Sequence, residues 1–594
     1  MSDRTIRLIS KVVLVLSVVL IVLSSVVFVP IVQNALLGFA ERFTCSLFPR
    51  DVLRQMLVRL ELKCVVVGLC VVIACIPLCR GIFCCQKSDA VFSPLADAKR
   101  LFSKKTRGAE WLVLFVALVS LRCVYISQKK SWAGDEPLSV SICNRNEFGF
   151  WGGNYEPNVV YTGKELNDIS FFDDAMVKDA LSDVLHLYVT SGDSPHTNFY
   201  YSLLRLAFCG VKTGDFSRIV RRGCGLNIAF FAFSFFFMLL LLERFSLGRT
   251  QMMACMVVSL GNPIAVGLTV FLRPYELTQL WTIALTYFVV WCVQVLQEGG
   301  CIENPKNLCM GTIVLAFTML SGYFNLLLVF AYGLVLLVFF ARNGELFRIG
   351  FFLHMLVCAV VLAHCMYLSF GNGLFASRGV QSLSQFSLAN LVSNMRATIG
   401  GLSAVMFRNG IFSVVLFTLS LFAFFSVFAK KRTENDFVRM AVVGAACFSL
   451  FLTFWFAPYK IIRYIAPFCP IFSLLFAFRA SSRRADSLSV ATAFAVVFLF
   501  IPSKKCPAPV EHLDDASIAQ YGLFQSAERV WFVREENGSA WKYATMIPYL
   551  KEEQTVVFVS RCADIDGGGD AAPLVHGGRS ARKRLREGHF VLCS

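Results

Sequence analysis

The chain has 594 residues, of which 56% are hydrophobic and only 16% are charged, whereas globular proteins average roughly 45–50% and 25%. Repeated apolar runs of about 18 residues or more match a hydrocarbon layer roughly 30 Å thick, so a soluble enzyme, a disordered tail and a fibrous protein are excluded. The formal net charge of +17 requires no nucleic-acid partner, because the cytoplasmic loops of a membrane protein collect Lys and Arg.

The apolar runs predict a polytopic α-helical membrane protein with about 13 transmembrane helices. The first run, at 6–37, is too long for a secretory signal and lacks a small-residue cleavage site, so we expect it to remain as a span. The other predicted spans lie near 64–79, 109–127, 224–243, 251–269, 275–296, 308–322, 325–341, 350–368, 410–428, 437–456, 464–479 and 486–502.

The loops between the spans predict the orientation of the chain. One end carries most of the cations, among them Lys104, Arg249 and Arg342, and the positive-inside rule makes that end cytoplasmic. The long loop 128–222 and the residues after Lys504 then lie on the exoplasmic side.

Two exoplasmic regions carry secondary-structure signals. Apolar residues recur at helical spacing between Phe172 and Tyr188, which predicts an amphipathic helix on the bilayer surface. The tail predicts a small exoplasmic α/β domain, because strand-like stretches at 530–533, 555–560 and 589–593 surround a helical stretch at 540–550. The predicted domains are an N-terminal two-span module with a basic cytoplasmic loop (1–108), a transmembrane core (109–505) and the exoplasmic domain (506–594).

Several common functional motifs are missing from the sequence. The 22 cysteines are scattered without a Cys-x-x-Cys pair, so a zinc or redox framework is not expected. The sequence also has no Walker A and no His-Glu-x-x-His pattern, which are the usual signs of nucleotide-driven transport and zinc proteolysis. We therefore expect no nucleotide cofactor.

Asp135 and Glu136 follow the span 109–127 after a short tether, which holds both carboxylates close to the membrane surface. Carboxylates in that position can act as a general base or hold a divalent cation. A solvated turn before Pro137 is the simpler alternative.

Asp193 and His196 are three residues apart near the end of the long loop and can face one site. Together with Glu136 they are the candidate ligands of a divalent metal ion. A helix cap and a surface histidine explain the Asp-x-x-His spacing equally well.

Cations at two exoplasmic junctions break the positive-inside pattern: Arg273 at one, and Lys460 and Arg463 at the other. Guanidinium groups at a membrane boundary are natural partners for phosphate. For each arginine singly, snorkelling to lipid headgroups is the alternative.

Four segments follow one another on the predicted exoplasmic side. They are the Asp135-Glu136 pair, the stretch from Ser194-Pro195-His196 to Tyr200-Tyr201-Ser202-Leu203-Leu204-Arg205, the element Leu272-Arg273-Pro274-Tyr275, and Arg463-Tyr464-Ile465-Ala466-Pro467. Their order resembles the polytopic GT-C glycosyltransferases, in the branch of the dolichyl-phosphate-mannose protein mannosyltransferases and the bacterial lipid A aminoarabinose transferases. The resemblance covers about Glu110 to Pro502 and implies a GT-C-like core.

Two features depart from that family. Residues 1–108 add two spans where the family usually has none, and His196 and Thr197 stand where small or apolar residues are commoner. The resemblance therefore implies nothing about the purpose of residues 1–108.

The resemblance implies an enzyme that transfers a sugar from a polyprenyl-phosphate carrier to a hydroxyl group of a glycan, lipid or protein, with inversion. Asp135 would be the base that deprotonates the acceptor, and Glu136 would orient it or help bind a cation. Arg273, Lys460 and Arg463 would stabilise the charge on the departing phosphate. Tyr275, Tyr459 and Tyr464 would stack on sugar or isoprenoid, and Asp193 and His196 would hold acceptor or metal.

Two other functions remain open. One is a transporter or flippase of a lipid-linked saccharide, in which the cations escort a pyrophosphate headgroup; the absence of paired broken helices and the acidic pair argue against it. The other is a non-catalytic membrane scaffold that kept the fold. We expect a bacterial inner membrane with the active site facing the periplasm, or the endoplasmic reticulum if the chain is eukaryotic.

Overall fold

A computed structural model of the chain describes residues 37–38, 90–102, 105–129, 135–143, 159–170, 176–189, 196–211, 216–371, 384, 387–406, 434–457, 464, 466–474, 524–533, 547–559 and 589–593. The predicted spans near 64–79, 410–428 and 486–502, and most of the first, lie outside these residues. The candidate site residues Asp193, Tyr459, Lys460 and Arg463 also lie outside them.

The described residues are mostly helical, with one short strand before the central helices and three strands in the tail. In chain order the elements up to the central helix are α1 (Pro94–Phe102), α2 (Lys105–Gln128), α3 (Glu136–Cys143), β1 (Val160–Thr162), α4 (Gly163–Ser170), α5 (Val177–Val189), α6 (Phe199–Ala207), α7 (Phe216–Arg244), α8 (Arg249–Leu260), α9 (Pro263–Val270) and α10 (Tyr275–Gln297). They are followed by α11 (Pro305–Ser321), α12 (Asn325–Asn343), α13 (Ile349–Met366), α14 (Leu388–Met406), α15 (Glu434–Phe456), α16 (Cys469–Ser473), β2 (Arg529–Val533), β3 (Thr555–Val559) and β4 (His589–Cys593).

Six helices among the described residues, α2, α7, α10, α12, α13 and α15, are long and apolar enough to cross a membrane. A seventh span results if α8 and α9, which are bent by 53° at a short break, are counted as one. The chain is therefore a helical membrane protein. Helix α10 forms its centre, because this helix is almost wholly buried and packs against α7 and α11.

The bend between α8 and α9 is stabilised by side chains that bind the backbone groups freed by the break. Nδ2 of Asn262 donates to the carbonyl oxygens of Val258 at 2.9 Å and Ser259 at 2.8 Å, and its Oδ1 caps the first turn of α9. Nη2 of Arg122 donates to the Leu260 carbonyl at 2.7 Å. Backbone groups within a membrane need such partners because water is absent there.

The helix bundle has two distinguishable ends. At one, which we call the basic end, α7 ends at Arg244, α8 begins at Arg249 and α12 ends beside Arg342. At the other, which we call the sheet end, α3 and α6 share a hydrophobic cluster with strands β2 and β3. The positive-inside rule predicts that the basic end is cytoplasmic.

The four strands form one sheet in the order β1, β3, β2, β4. The three tail strands are parallel, with Arg529 opposite Thr555, and they lie where the sequence predicts strands. Strand β1 pairs antiparallel with β3, with Val160 opposite Val557. It comes from the loop 128–222 and was not predicted, because a strand of three residues is too short to show alternation.

The long loop and the tail are joined beyond this strand pair. The N–H of Gly163 donates to the carbonyl oxygen of Gln554 at 2.8 Å. A Cβ at Gly163 would overlap the carbonyl oxygen of Lys551, so the close contact between these two backbone segments requires glycine at this position. Of the helical stretch predicted at 540–550, the described residues Ile547–Tyr549 form a single 3₁₀ turn.

A helix is present as α5 in the stretch that was predicted to be amphipathic. The predicted apolar spacing runs through Ala180, Val184 and Tyr188, of which Ala180 is buried, and a different apolar stripe faces outward. Val177, Leu181 and Leu185, each four residues from the next, are 64%, 51% and 66% exposed. Ala180 and Leu187 on the other face are buried. An exposed apolar stripe beside membrane-spanning helices is typical of a helix that lies in the bilayer interface.

The segment before α2 packs onto the core at the basic end. The N–H of Phe92 donates to Oδ1 of Asn307 at 2.8 Å, and the ring of Phe92 contacts that of Trp291, with 5.2 Å between centroids. Asp97 of α1 pairs with Arg244. Residues 90–102 of the predicted N-terminal module are therefore held by core helices.

Candidate functional site

The turn between α9 and α10 carries Arg273 and is fixed by side chains from two other helices. Oε1 of Glu136 on α3 accepts a hydrogen bond from the N–H of Leu272 at 2.8 Å. Nδ2 of Asn227 on α7 donates to the carbonyl oxygen of Phe271 at 2.9 Å. The position of Arg273 therefore depends on residues that are distant in sequence.

The guanidinium group of Arg273 is buried among polar groups at the sheet end. Its Nη1 donates to the hydroxyl oxygens of Tyr201 at 3.1 Å and Ser139 at 3.3 Å. Its Nη2 lies 3.0 Å from Nε2 of His196, which is the acceptor because a guanidinium group only donates. These three partners orient the guanidinium group without neutralising its charge.

Glu136 is fully buried, and both of its carboxylate oxygens accept hydrogen bonds. Oε2 forms an ion pair with Nζ of Lys129 at 2.6 Å, and neither side chain is exposed. Oε1 accepts the N–H of Leu272. Glu136 therefore positions the turn that carries Arg273, and it ties the end of α2 to the start of α3.

Asp135 precedes α3 and is half-buried. Its carbonyl oxygen accepts the N–H of Ser139 at 3.3 Å, which begins the helix, and the hydroxyl group of Ser139 contacts Arg273. Asp135 therefore lies one helical turn from a residue that touches the guanidinium group. We call the set Lys129, Asp135, Glu136, Ser139, His196, Tyr201 and Arg273 the Arg273 cluster.

Helix α6 contributes Tyr201 to the cluster and packs beside it. Its first turn is anchored by Thr197, whose hydroxyl group donates to the carbonyl oxygen of Leu320. The hydroxyl group of Tyr200 donates to Oδ1 of Asn227 at 3.3 Å. Burial raises the pKa of Tyr200 well above its ordinary value, so this side chain stays a neutral donor.

The predicted residues Tyr275 and Tyr464 belong to one hydrophobic cluster beside the turn. The ring of Tyr275 stacks on that of Phe271, with 6.1 Å between centroids and an angle of 3°. Tyr464 packs against the same hydrophobic cluster. Tyr464, which follows Arg463 in sequence, therefore lies beside the turn that carries Arg273.

The candidate metal ligands do not come together in the described part of the chain. No group of three or more His, Cys, Asp and Glu side chains is arranged there to hold a metal ion. Both oxygens of Glu136 accept protein hydrogen bonds, and Nε2 of His196 faces the Arg273 guanidinium group. These two residues do not fit a shared metal site, and Asp193 lies outside the described residues.

Lys129, Ser139, Tyr201 and Asn227 were assigned no role from the sequence. Asn227 is a polar residue inside an apolar span and Lys129 is a cation at a span's end, and both are signals of a functional position in a membrane protein. Ser139 carries no such signal, because hydroxyl groups are common near membrane boundaries. Tyr201 lies in one of the four segments that carry the resemblance, but the sequence does not show that it contacts Arg273.

No protein-family model and no curated protein matches this sequence. The functional assignment therefore depends on the geometry of the Arg273 cluster and on the resemblance of its motifs.

Proposed function

We propose that this chain is an integral membrane glycosyltransferase that transfers a sugar from a polyprenyl-phosphate carrier to a hydroxyl acceptor at the exoplasmic face. The observation that carries the proposal is the convergence of the acidic pair and Arg273. Glu136 binds the backbone of Leu272, and Arg273 binds Ser139 one turn after Asp135. A carboxylate and an oriented cation at one end of a helix bundle are the two groups that such a transfer requires.

In the proposed reaction, the acceptor hydroxyl oxygen attacks the anomeric carbon of the carrier-bound sugar. The bond between that carbon and the phosphate oxygen breaks as the new glycosidic bond forms, and the configuration inverts. The hydroxyl proton moves to the carboxylate of Asp135, and the polyprenyl phosphate leaves with its charge beside Arg273. Electrostatic stabilisation of the leaving group is strongest where the cation is already oriented, as Tyr201 and His196 orient Arg273.

Replacement of Asp135 by Asn tests the proposal, because it removes the base and keeps the size of the side chain. Cells that lack the native protein are complemented with the wild type, Asp135→Asn or the matched control Asp179→Asn on α5, and their surface glycans and lipids are analysed by mass spectrometry. We expect Asp135→Asn to reduce transfer of one sugar by roughly 10²–10⁴-fold, with normal expression. Unchanged sugar content in that variant would contradict catalysis and favour a scaffold or a transporter.

The bent span favours a second candidate, a transporter of a polyprenyl-linked saccharide. Broken helices that border a binding site are common in transporters, and helix α9, which follows the break, ends at the turn that carries Arg273. The two candidates differ in whether a covalent bond breaks. In proteoliposomes, a transporter moves a labelled carrier between leaflets with its sugar still attached, whereas a transferase releases the bare polyprenyl phosphate.

A further inference from the structure

A groove of about 730 Å³ lies at the basic end, between α10, α12 and α15. Its walls are apolar and include Val293, Ala331, Val335, Val338, Ala441 and Gly444. The volume lies within the range of roughly 300–1,000 Å³ that small-ligand sites occupy. All three helices are long and apolar enough to cross a membrane, so the surroundings of this groove are hydrocarbon.

One end of the groove is cationic. Arg342, in the last turn of α12, lines it together with Asn343 and Glu345. The carboxylate of Glu345 lies 3.2 Å from Nε of Arg348, which offsets its charge. The guanidinium group of Arg342 lies 5.2 Å from the ring centroid of Phe437, and among the described residues no carboxylate pairs with it.

We propose that this groove binds an anionic phospholipid of the bilayer, with an acyl chain against the apolar walls and the phosphate on Arg342. An arginine beside an apolar channel matches a molecule that carries a phosphate on a hydrocarbon chain. Asn343 can donate to the same headgroup through its amide. Both residues are exposed at the end of their helix, where a headgroup would reach them.

The groove is separate from the Arg273 cluster. Arg273 precedes the first residue of α10, whereas Leu296 and Gln297 at the other end of this helix line the groove. A helix of 23 residues is about 34 Å long, which is enough to cross a bilayer core of roughly 30 Å. The lipid at Arg342 is therefore not the sugar carrier at Arg273, and this proposal does not depend on the glycosyltransferase assignment.

Native mass spectrometry of the purified full-length protein in detergent tests the proposal. The probes are phosphatidylglycerol and phosphatidylcholine with the same acyl chains. We expect the wild type to retain phosphatidylglycerol in preference to phosphatidylcholine. Arg342→Gln should weaken that retention by about fivefold, since a cation near a headgroup contributes roughly that factor. Lys306→Gln, which removes an exposed cation at the same end, should leave the retention unchanged.

A second variant tests the apolar part of the site. Gly444 lines the groove, and a Cβ there meets no atom within 4 Å, so the side chain of Gly444→Leu begins in open space and occupies part of the groove. This variant should reduce retention of phosphatidylglycerol although Arg342 is intact. Gly333→Leu on α12, which is also in open space but does not line the groove, is its control. Equal retention of the two lipids by the wild type, or normal retention by Gly444→Leu, would overturn the proposal.

Discussion

Glu136 and Lys129 form an ion pair in which neither side chain is exposed, with 2.6 Å between Oε2 and Nζ. A buried ion pair is only a weak source of stability compared with apolar residues of similar size, but removal of one partner leaves a buried charge alone. The pair also holds Glu136 in place, and Oε1 of Glu136 accepts the N–H of Leu272 in the turn that carries Arg273.

The first prediction concerns this pair. Lys129→Met should destabilise the protein by about 3–5 kcal/mol, because it leaves the carboxylate of Glu136 buried without its cation. Glu136→Gln should have a similar effect by isolating Lys129, although its amide oxygen can still accept the N–H of Leu272. The double variant should lose less stability than the sum of the two single losses. Thermal unfolding of the purified protein in detergent measures all three, and additive losses would contradict a direct coupling.

A second prediction concerns Arg273. Arg273→Gln should lower sugar transfer by roughly 10²–10³-fold, the usual effect of removing one oriented group that stabilises developing charge. Arg273→Lys should recover only part of the activity, because an ammonium group lacks the planar fork that reaches Tyr201 and His196 together. Surface-glycan mass spectrometry provides the readout.

The matched control for Arg273 is Arg222→Gln, which removes an exposed cation from the start of α7 at the same end of the bundle. It should leave transfer unchanged. If both variants reduced transfer equally, the effect would reflect the overall charge of the sheet end rather than a specific contact of Arg273.

The junction between the long loop and the tail gives a third prediction. Gly163→Ala should destabilise the sheet by about 1–3 kcal/mol, because the added methyl group meets the carbonyl of Lys551. Limited proteolysis should then cut the loop or the tail faster than in the wild type. Gly225→Ala on α7, where a Cβ meets no atom within 4 Å, should show the wild-type pattern.

The apolar stripe of α5 gives a fourth prediction. A nitroxide attached at Leu181→Cys should be reached more readily by oxygen, which partitions into lipid, than by a water-soluble nickel complex. A label at Asp179→Cys, which lies about 160° around the same helix from Leu181 on the side of Ser182 and His186, should show the reverse preference. Electron paramagnetic resonance in nanodiscs measures the accessibility of both labels to the two reagents. If both labels were more accessible to the nickel complex, the placement of α5 in the bilayer interface would be wrong.

The long spans could be predicted because hydropathy depends only on local composition. Helices α10 and α15 begin and end within three residues of the predicted spans, whereas α7 begins eight residues before its predicted span and ends one residue after it. The span predicted near 251–269 is instead bent, and the Asn262-Pro263 pair at the break is a signal for a new helix start. Strand β1 could not be predicted, because its partner strand is remote in sequence.

The sequence predicted several residues of the candidate site but not the contacts between them. Glu136, His196 and Arg273 were selected from the sequence, and the structure brings them together around one turn. The ion pair of Glu136 with Lys129 is a tertiary contact, and residue type alone does not show which carboxylate is buried and which is half-buried. The different environments of Asp135 and Glu136 therefore arise from tertiary packing, which the sequence pattern does not show.

Strand β1 has a consequence for how the protein is made. Its partner β3 lies about 400 residues later in the chain, so the ribosome must synthesise those further residues before the two can pair. Until then β1 offers an unpaired edge beside the nascent helices. A truncation that removes the last 60 or so of these residues would therefore keep the membrane-spanning helices. It would remove β3, so that β1 would have no strand to pair with.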